Sequence, residues 1–349
     1  MSKILHFGCW GLNGPDLTKN MNMIKSMDLS KYDFLSIAGD NYYKQRYKYI
    51  KNKRIKINKY TETDLVEAFN TLPRDIDIIM INGNHDVDDV FFNAKKCTSL
   101  FKQNNLIKHD FKNITKYNDV AFKKIKDSLF IFFDSTLYDL PDDIFIKNTC
   151  YSHMHHSRNF RNIKDLRRAQ NKKIQNILKE QDCKNLFFVC HHPIVYIKAS
   201  ENTHIDTIID TDYTVVLFKF SQFLEDNIKL LENKIIYHLC ADNHMYQKGL
   251  IKLGKKKSVN INQIVAGTGG GFLYDIPISN KISIPYYNIK MEIYESISSH
   301  GVVEITINDK DNDGNNKSNI DVKFIEMFKQ NGGSLLIKKN YLILKKLIQ

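Results

Sequence analysis

Short, largely apolar runs, each stopped by a polar cluster, recur along the chain. Ile4 to Gly8 stops at Cys9-Trp10-Gly11, and Asp33 to Ala38 stops at Gly39-Asp40-Asn41-Tyr42-Tyr43. Ile78 to Ile81 stops at Asn82-Gly83-Asn84-His85-Asp86. Leu186 to Cys190 stops at His191-His192-Pro193, and Lys234 to Cys240 at Ala241-Asp242-Asn243-His244. Runs this short, with too few polar residues to make a regular alternation, read as strands covered on both faces, in the middle of a sheet. Leu129 to Phe133, ending at Asp134-Ser135-Thr136, reads as a further strand paired with Val120-Ala121-Phe122. Ile261 to Val265 leads into a glycine run, Gly267 to Gly271, with no helical pattern behind it and so no dinucleotide fingerprint. Helical spacing appears between the strands. It covers Met21 to Met27, a stretch opened by Asp64 with Leu65, Ala68, Phe69 and Leu72 on one face and Pro73 as stop, and Val215 to Leu231. Asp165 to Gln181 places Leu166, Ala169, Ile174, Ile177 and Leu178 on one side. Near the end, Val302 to Ile307 and Ile320 to Ile325 alternate about a polar turn, which predicts a hairpin. The alternation of strands and helices predicts an α/β protein.

The intervening segments are polar. Lys44 to Tyr60 is basic with interleaved tyrosines, read as a solvated excursion, with a phosphate-attracting rim or a nucleic-acid contact as the alternative. Residues 139–164 are irregular and hold Tyr151-Ser152-His153-Met154-His155-His156, a histidine cluster expected at a surface or pocket rim. Residues 199–212 read as loop. Asp309 to Gly314 imitates the start of a calcium loop, but Ile320 stands at the twelfth position where a glutamate would ligate. One domain over residues 1–330 is expected, followed by an apolar and basic tail at 331–349 that packs on it by default, with a membrane surface or a partner as the alternatives.

Composition changes the picture little. The chain has 349 residues and a net charge of +12, carried by lysine in a background rich in isoleucine and asparagine. A nucleic-acid partner is therefore possible but not favoured. No stretch is apolar enough to span a bilayer, and the first residues lack a signal-peptide apolar region. The six cysteines are scattered without CxxC pairs, which predicts reduced thiols and a cytoplasmic location. Nothing in the sequence fixes an oligomeric state.

The chemistry lies at the strand ends. Five apolar runs finish in side chains that ligate metals or move protons: Cys9, Asp40 with Tyr43, Asn84 with His85, His191 with His192, and Asp242 with His244. The C-terminal edge of a sheet in α/β proteins is where sites are built. Such a set suits two cations about 3.5–4 Å apart, bridged by one carboxylate, Asp40, that polarise a phosphoryl oxygen and activate water for in-line attack. His85 is then placed to protonate the leaving oxygen, and His192 to contact the phosphate.

These motifs resemble those of the calcineurin-like metallophosphoesterases, and within them the small purple acid phosphatases. Gly39-Asp40-Asn41-Tyr42-Tyr43 matches that family's Gly-Asp-x-x-Tyr, Gly83-Asn84-His85-Asp86 its Gly-Asn-His-Asp, and His191-His192-Pro193 its His before a Pro-containing pair. The resemblance runs in the family's order over roughly residues 3–326. It implies a four-layer α/β/β/α sandwich of two mixed sheets flanked by helices. It also implies a dinuclear centre of iron, manganese or zinc, in which Asp40 bridges, Tyr43 and His244 hold the first ion, Asn84 and His191 hold the second, and His85 is catalytic. Two positions depart from the pattern. Cys9 stands where the family has the Asp of Asp-x-Gly, and Asp242 where it has the first His of Gly-His-x-His. A thiolate suits zinc or iron, and a carboxylate suits manganese, magnesium or iron, so both replacements can ligate. The function implied is hydrolysis of phosphate esters, most simply monoesters. The alternatives are a catalytically degenerate relative that binds a phosphorylated ligand or a protein, and a phosphodiesterase or nuclease that grips a backbone through Lys44 to Lys59.

Overall fold

The apolar runs become the parallel cores of two sheets. The computed structural model describes residues 1–11, 15–43, 45–50, 53–59, 62–87, 98–151, 160–199, 211–215, 217–254, 258–271, 273–274, 280–285, 288–308 and 320–327. The chain runs through Ser2–Phe7 (β1), Pro15–Lys25 (α1), Phe34–Ala38 (β2), Gln45–Ile50 (β3), Lys53–Lys59 (β4), Glu62–Asn70 (α2) and Ile78–Ile81 (β5). The single turn Asn84–Val87 (α3), Thr98–Asp110 (α4), Ile114–Lys116 (β6), Ala121–Ile125 (β7), Ser128–Phe132 (β8) and Thr136–Asp139 (α5) follow. Next come Ile163–Glu180 (α6), Asn185–Val189 (β9), Val195–Ala199 (β10), Thr211–Val215 (β11), Phe218–Asp226 (α7) and Ile228–Leu231 (α8). Ile235–Cys240 (β12), Tyr246–Leu253 (β13), Val259–Ala266 (β14), Lys281–Ile284 (β15), Ile289–Ile297 (β16), Gly301–Ile307 (β17) and Ile320–Glu326 (β18) complete it.

One sheet has the order β18-β17-β1-β2-β5-β6, and the other β15-β16-β13-β14-β12-β9-β8-β7. In the first, β1, β2, β5 and β6 run parallel. In the second, β8, β9, β12 and β14 do. Antiparallel strands close the remaining positions, including β17 against β1 and β13 against β14. Side chains alternate across the first sheet, as a strand requires. Leu5, Phe7, Leu35, Ile37 and Met80 pack with Leu17 and Met21 of α1 and with Leu65, Ala68 and Phe69 of α2. Ile4, Phe34, Ile79 and Ile81 belong instead to the core shared with the second sheet, with Ile174 and Leu178 of α6 and with Phe220 of α7. Phe34 of β2 meets Phe130 of β8 edge to face across the two sheets, with ring centroids 5.6 Å apart. The architecture is therefore the expected α/β/β/α sandwich of two mixed sheets flanked by helices.

Several local readings change. The helix expected over 215–231 begins only at Phe218, and is split at Asn227 into α7 and α8, because Thr211–Val215 pairs with Val195–Ala199 as a small hairpin. The basic excursion over 44–60 is itself a hairpin, β3 against β4. Strand β13 starts straight after the Asp242–His244 turn, and α4 was not marked by a clear apolar stripe. The cysteine reading needs a correction. Cys9, Cys183, Cys190 and Cys240 are free and buried, but Cys150 is disulfide-bonded, so scattered spacing did not mean a wholly reduced set. The histidines at 153–156, the 309–314 turn, residues 200–210 and the tail from 328 onward lie outside the described residues.

Candidate metal centre

Parallel strands put their C-terminal ends on one edge, and every candidate residue stands there. Cys9 follows β1, Asp40 follows β2, Asn84 and His85 follow β5, His191 and His192 follow β9, and Asp242 and His244 follow β12. The connecting loops are laced together by the main chain. Cys9 N donates to Gly39 O (3.1 Å), Gly11 N to Asp40 O (2.9 Å), Ala241 N to His191 O (2.8 Å) and Gly271 N to Cys9 O (2.9 Å). Cys9, Asp40 and Asp242 each adopt φ 55, a left-handed conformation that side chains other than glycine rarely take. The two residues that depart from the family pattern thus turn the chain in the same way as the one that conforms to it. Such strain, of order 1 kcal/mol or more at each position, persists only where the surroundings fix it.

His191 defines the deepest part of the site. Its Nδ1–H donates to the Ala38 carbonyl at 2.6 Å, which leaves Nε2 facing the cluster. Around that nitrogen lie Asn84 Oδ1 at 3.0 Å, Asp40 Oδ1 at 3.3 Å and Asp242 Oδ1 at 3.6 Å. A lone pair aimed into three oxygens is repulsive unless a positive charge lies between them. Burial by itself would lower the His191 pKa, but the Asp40 and Asp242 carboxylates overcome it and raise it to about 9. Here a proton stands in for a cation. The carbonyl bond at Nδ1 is also the anchor that metal-binding imidazoles use.

The second half of the cluster forms on the other oxygen of Asp40. Tyr43 Oη donates to Asp40 Oδ2 at 2.8 Å and lies 3.5 Å from His244 Nε2, and Cys9 Sγ is 3.9 Å from the same carboxylate oxygen. Cys9, Asp40 and His191 form one group of converging ligand atoms, and His191, His192 and Asp242 form another. The donor set is anionic and mixed. Burial would raise the Asp40 pKa, but His191 and His85 hold it below the usual range. For Asp242 likewise, the His191 hydrogen bond and the neighbouring imidazoles outweigh burial and hold its carboxyl well below the carboxylate range. Burial, reinforced by the Asp40 and Asp242 charges, pushes the Cys9 thiol far up, and burial with Asp40 and Cys9 does the same to Tyr43. A divalent cation reverses that sign for both groups, since a coordinated thiol is deprotonated outright. The residues present therefore fit a metal centre.

The ring of His244 is bounded by Tyr274, stacked at 5.2 Å and 12°. A Cβ on Gly271 would lie 2.8 Å from the His244 ring, so glycine is what lets that loop approach. Gly83 is constrained more tightly, since a Cβ there would sit 2.3 Å from Asp40 Oδ1. His85 donates its backbone N–H to Asp40 Oδ1 (3.2 Å), and its ring packs on Tyr43 at 4.6 Å. His192 is buried, and burial together with the His191 charge lowers its pKa to about 4, so its ring is neutral.

Three supporting side chains escape a reading of the sequence by ligand type. Asp86 accepts from Asn41 N (3.1 Å), Asn41 Nδ2 (2.9 Å), Gly83 N (2.8 Å) and Gln103 Nε2 (2.8 Å), and so ties the loops after β2 and β5 together. Trp10 Nε1 donates to Asn41 Oδ1 at 2.9 Å, which joins the loop after β1 to the same brace. Ser135, at the end of β8, contacts both His191 and His192. Asp134-Ser135-Thr136 is visible in the sequence as one more polar strand end, and that is the signal available for it.

The family model for calcineurin-like phosphoesterases matches residues 2–246, and the chain belongs to that family. Among solved structures, it is similar to GAP50, described as the anchor in the inner membrane complex of Plasmodium, with a TM-score of 0.51 and 13% identity over 97% of this chain and 89% of that one. It is also similar to a 5'-nucleotidase from Candida albicans SC5314, with a TM-score of 0.41 and 11% identity over 93% of this chain and 51% of that one. No curated protein matches the sequence. Among the described residues, no helix is long and apolar enough to cross a membrane.

Proposed function

We propose that the chain is a two-metal phosphoesterase that hydrolyses phosphate monoesters, in the manner of the small purple acid phosphatases. One observation carries the reading. His191 Nε2 faces oxygens of Asn84, Asp40 and Asp242 at 3.0–3.6 Å, with its other nitrogen tied to the main chain. Asp40 would be shared between the ions, with Cys9, Tyr43 and His244 on one side and Asn84, His191 and Asp242 on the other. Bound there, iron, manganese or zinc supplies charge neutralisation of the phosphoryl group and activation of water. The protein's own groups do the rest. Asn84 and His85 share one turn at the end of β5, so the ring of His85 is positioned by the same loop that carries a ligand. It protonates the leaving oxygen. His192, neutral and buried beside His191, contacts the phosphoryl oxygens. Main-chain bonds between the loops hold these groups before substrate arrives, which is the preorganisation that phosphoryl transfer depends on.

A second reading rests on one observation, that a thiol replaces a carboxylate at Cys9. A relative that keeps the fold but binds without hydrolysing would show the same architecture. Elemental analysis of protein exposed separately to iron, manganese and zinc, followed by assay on an aryl phosphate monoester, separates the two. Two ions per chain and metal-dependent turnover that Asp40→Asn abolishes are expected. One ion or none under every condition, or full loading without turnover of any ester, would leave the binding protein in place of the enzyme. Steep salt dependence of oligonucleotide binding would instead point to a nuclease.

A further inference from the structure

Ser135 is buried at the position preceding α5, where a serine is normally spent on capping the helix. Its side chain makes no cap bond. The hydroxyl turns instead to the loop after β9. Ser135 Oγ accepts from His191 N at 3.1 Å and from His192 N at 2.9 Å, and lies 2.9 Å from His192 Nδ1. A hydroxyl has two lone pairs and one proton. The two main-chain donors fill both lone pairs, so the remaining contact must use the serine proton, and Nδ1 of His192 must accept it. A histidine Nδ1–H pointing at Ser135 would require a third lone pair that the oxygen does not have. The nearby Cys190 thiol has its own acceptor, the His192 carbonyl at 3.3 Å.

We infer that Ser135 is a positioning residue that fixes His192 as the tautomer with its proton on Nε2, making His192 a hydrogen-bond donor to a phosphoryl oxygen and not a third ligand beside His191 and Asp242. The inference rests on the phosphoesterase reading for the identity of the acceptor, but the tautomer follows from the hydrogen-bond count alone. It resolves an ambiguity in the cluster. By proximity His192 belongs with His191 and Asp242 as a possible metal ligand. By proton placement it does not, because Nδ1 is engaged and Nε2 carries a hydrogen. The two adjacent histidines are thus set in opposite senses by their Nδ1 partners. The Ala38 carbonyl accepts from His191 Nδ1–H and frees its Nε2 lone pair. The Ser135 hydroxyl donates to His192 Nδ1 and leaves its Nε2 protonated. The serine is held rigidly for this task. Gln170 brackets Asp134 with bonds to its N (3.2 Å) and O (2.9 Å), and Asp134 Oδ2 accepts from Tyr151 Oη at 2.8 Å.

The test reads the ring protons directly. Two-bond nitrogen–proton spectra of full-length protein labelled in histidine, with and without zinc, should show His192 bare at Nδ1 and protonated at Nε2. A proton on Nδ1 would overturn the inference. Competitive inhibition by inorganic phosphate then tests the role. His192→Ala should weaken phosphate roughly 10-fold or more, the worth of a charge-assisted hydrogen bond, and leave the metal content unchanged. His192→Gln, which keeps an N–H donor, should recover part of the loss. Loss of one ion per chain in His192→Ala would make it a ligand and sink the proposal. Ser135→Ala should mix the tautomers and raise KM more than it lowers kcat, with Ser135→Thr restoring both. Should Ser135→Ala fail to fold, the wild-type spectra and the His192 variants still decide. A chain that takes up no metal would defeat the phosphoesterase reading only, since the ring protons are read equally well without it.

Discussion

At the scale of single residues, the site depends on groups that touch no substrate. Asp86 is fully buried and carries four donors on its two oxygens, from the loops after β2 and β5 and from α4. Burial raises its pKa against the pull of Lys116, yet its value to the fold lies in accepting and not in charge alone. Asp86→Asn replaces one acceptor oxygen by an NH2 group that faces donors. Leaving buried donors unpaired in this way costs about 2–4 kcal/mol. Urea denaturation should show that loss, together with weaker metal binding, because Asp40 sits on one of the braced loops. Cys9 poses the complementary case. Its backbone is already in the turn that Asp40 and Asp242 use, at φ 55, so Cys9→Asp asks for no new backbone strain. Exchanging a soft donor for a hard one should move metal preference from zinc toward manganese or magnesium by about 10-fold or more. Competitive calorimetric titration of the two proteins checks it, and an unchanged ratio would mean that Cys9 is outside the coordination shell.

At the scale of elements, α6 reaches the site from the outer layer through one side chain. Its N-terminus is capped by Asn162, whose Oδ1 accepts from Asp165 N at 3.0 Å, and its inner face buries Ile163, Leu166, Ile174 and Leu178. Gln170, also buried, clamps both main-chain groups of Asp134 and thereby the loop that presents Ser135. Gln170→Leu keeps the bulk but orphans a buried N–H and a buried carbonyl, a cost of about 2–4 kcal/mol. Phosphate should bind more weakly with a smaller effect on metal content, since Gln170 reaches the His191 loop only through Ser135. Asn162→Ala, by contrast, should cost about 1 kcal/mol and leave phosphate binding alone. Comparing the two by urea midpoint and phosphate inhibition separates a helix that supports the site from one that only covers the sheet. The helix itself was legible in the sequence because apolar residues recur at helical spacing from Leu166 to Leu178. So were β1, β2, β5, β8, β9 and β12, whose largely apolar runs reflect cover on both faces. Strand β13 was not, because Gln247, Lys248 and Gly249 interrupt its apolar pattern and its identity comes from pairing with β14 and β16. The candidate ligands were legible as residue types at strand ends. Gln170 and Asp86 were not, since their work is done on partners 36 and up to 45 residues away in sequence.

At the scale of the whole molecule, the interface between the sheets holds histidines that must stay neutral. His6 of β1 lies fully buried, with Nδ1 3.2 Å from Ser36 Oγ and Nε2 3.3 Å from the Cys240 carbonyl, so it spans from one sheet to the other. Burial lowers its pKa from 6.5 to about 4, against a smaller opposing effect of the Cys240 carbonyl. His238 of β12 is buried beside Cys190 and Gln263, and burial lowers its pKa to about 3. A depressed pKa means that the unfolded chain takes up the proton first. The stability these rings contribute is therefore complete above pH 6.5 and is lost as the pH falls toward 4 and 3. For His6 alone the full loss is roughly 3 kcal/mol, because each tenfold weakening of proton affinity on folding is worth about 1.4 kcal/mol. His191 works in the other direction: its contribution is complete below 6.5 and is lost as the pH rises toward about 9, so it offsets only part of the difference between pH 5 and pH 7.5. The chain should then unfold at markedly lower urea at about pH 5 than at about pH 7.5, whatever metal it carries. His6→Gln, which replaces the titrating ring by a neutral amide able to bond across the same gap, should lower stability at neutral pH and flatten the slope between those two values. An unchanged slope in His6→Gln would place the acid sensitivity elsewhere. The consequence reaches the function proposed above. Below about pH 5, loss of turnover would combine destabilisation of this interior with any change in the chemistry of His85, so lowering the pH alone does not test acid-phosphatase behaviour. The pH profile has to be measured beside the unfolding curve, and only the part of the decline that precedes unfolding belongs to the site.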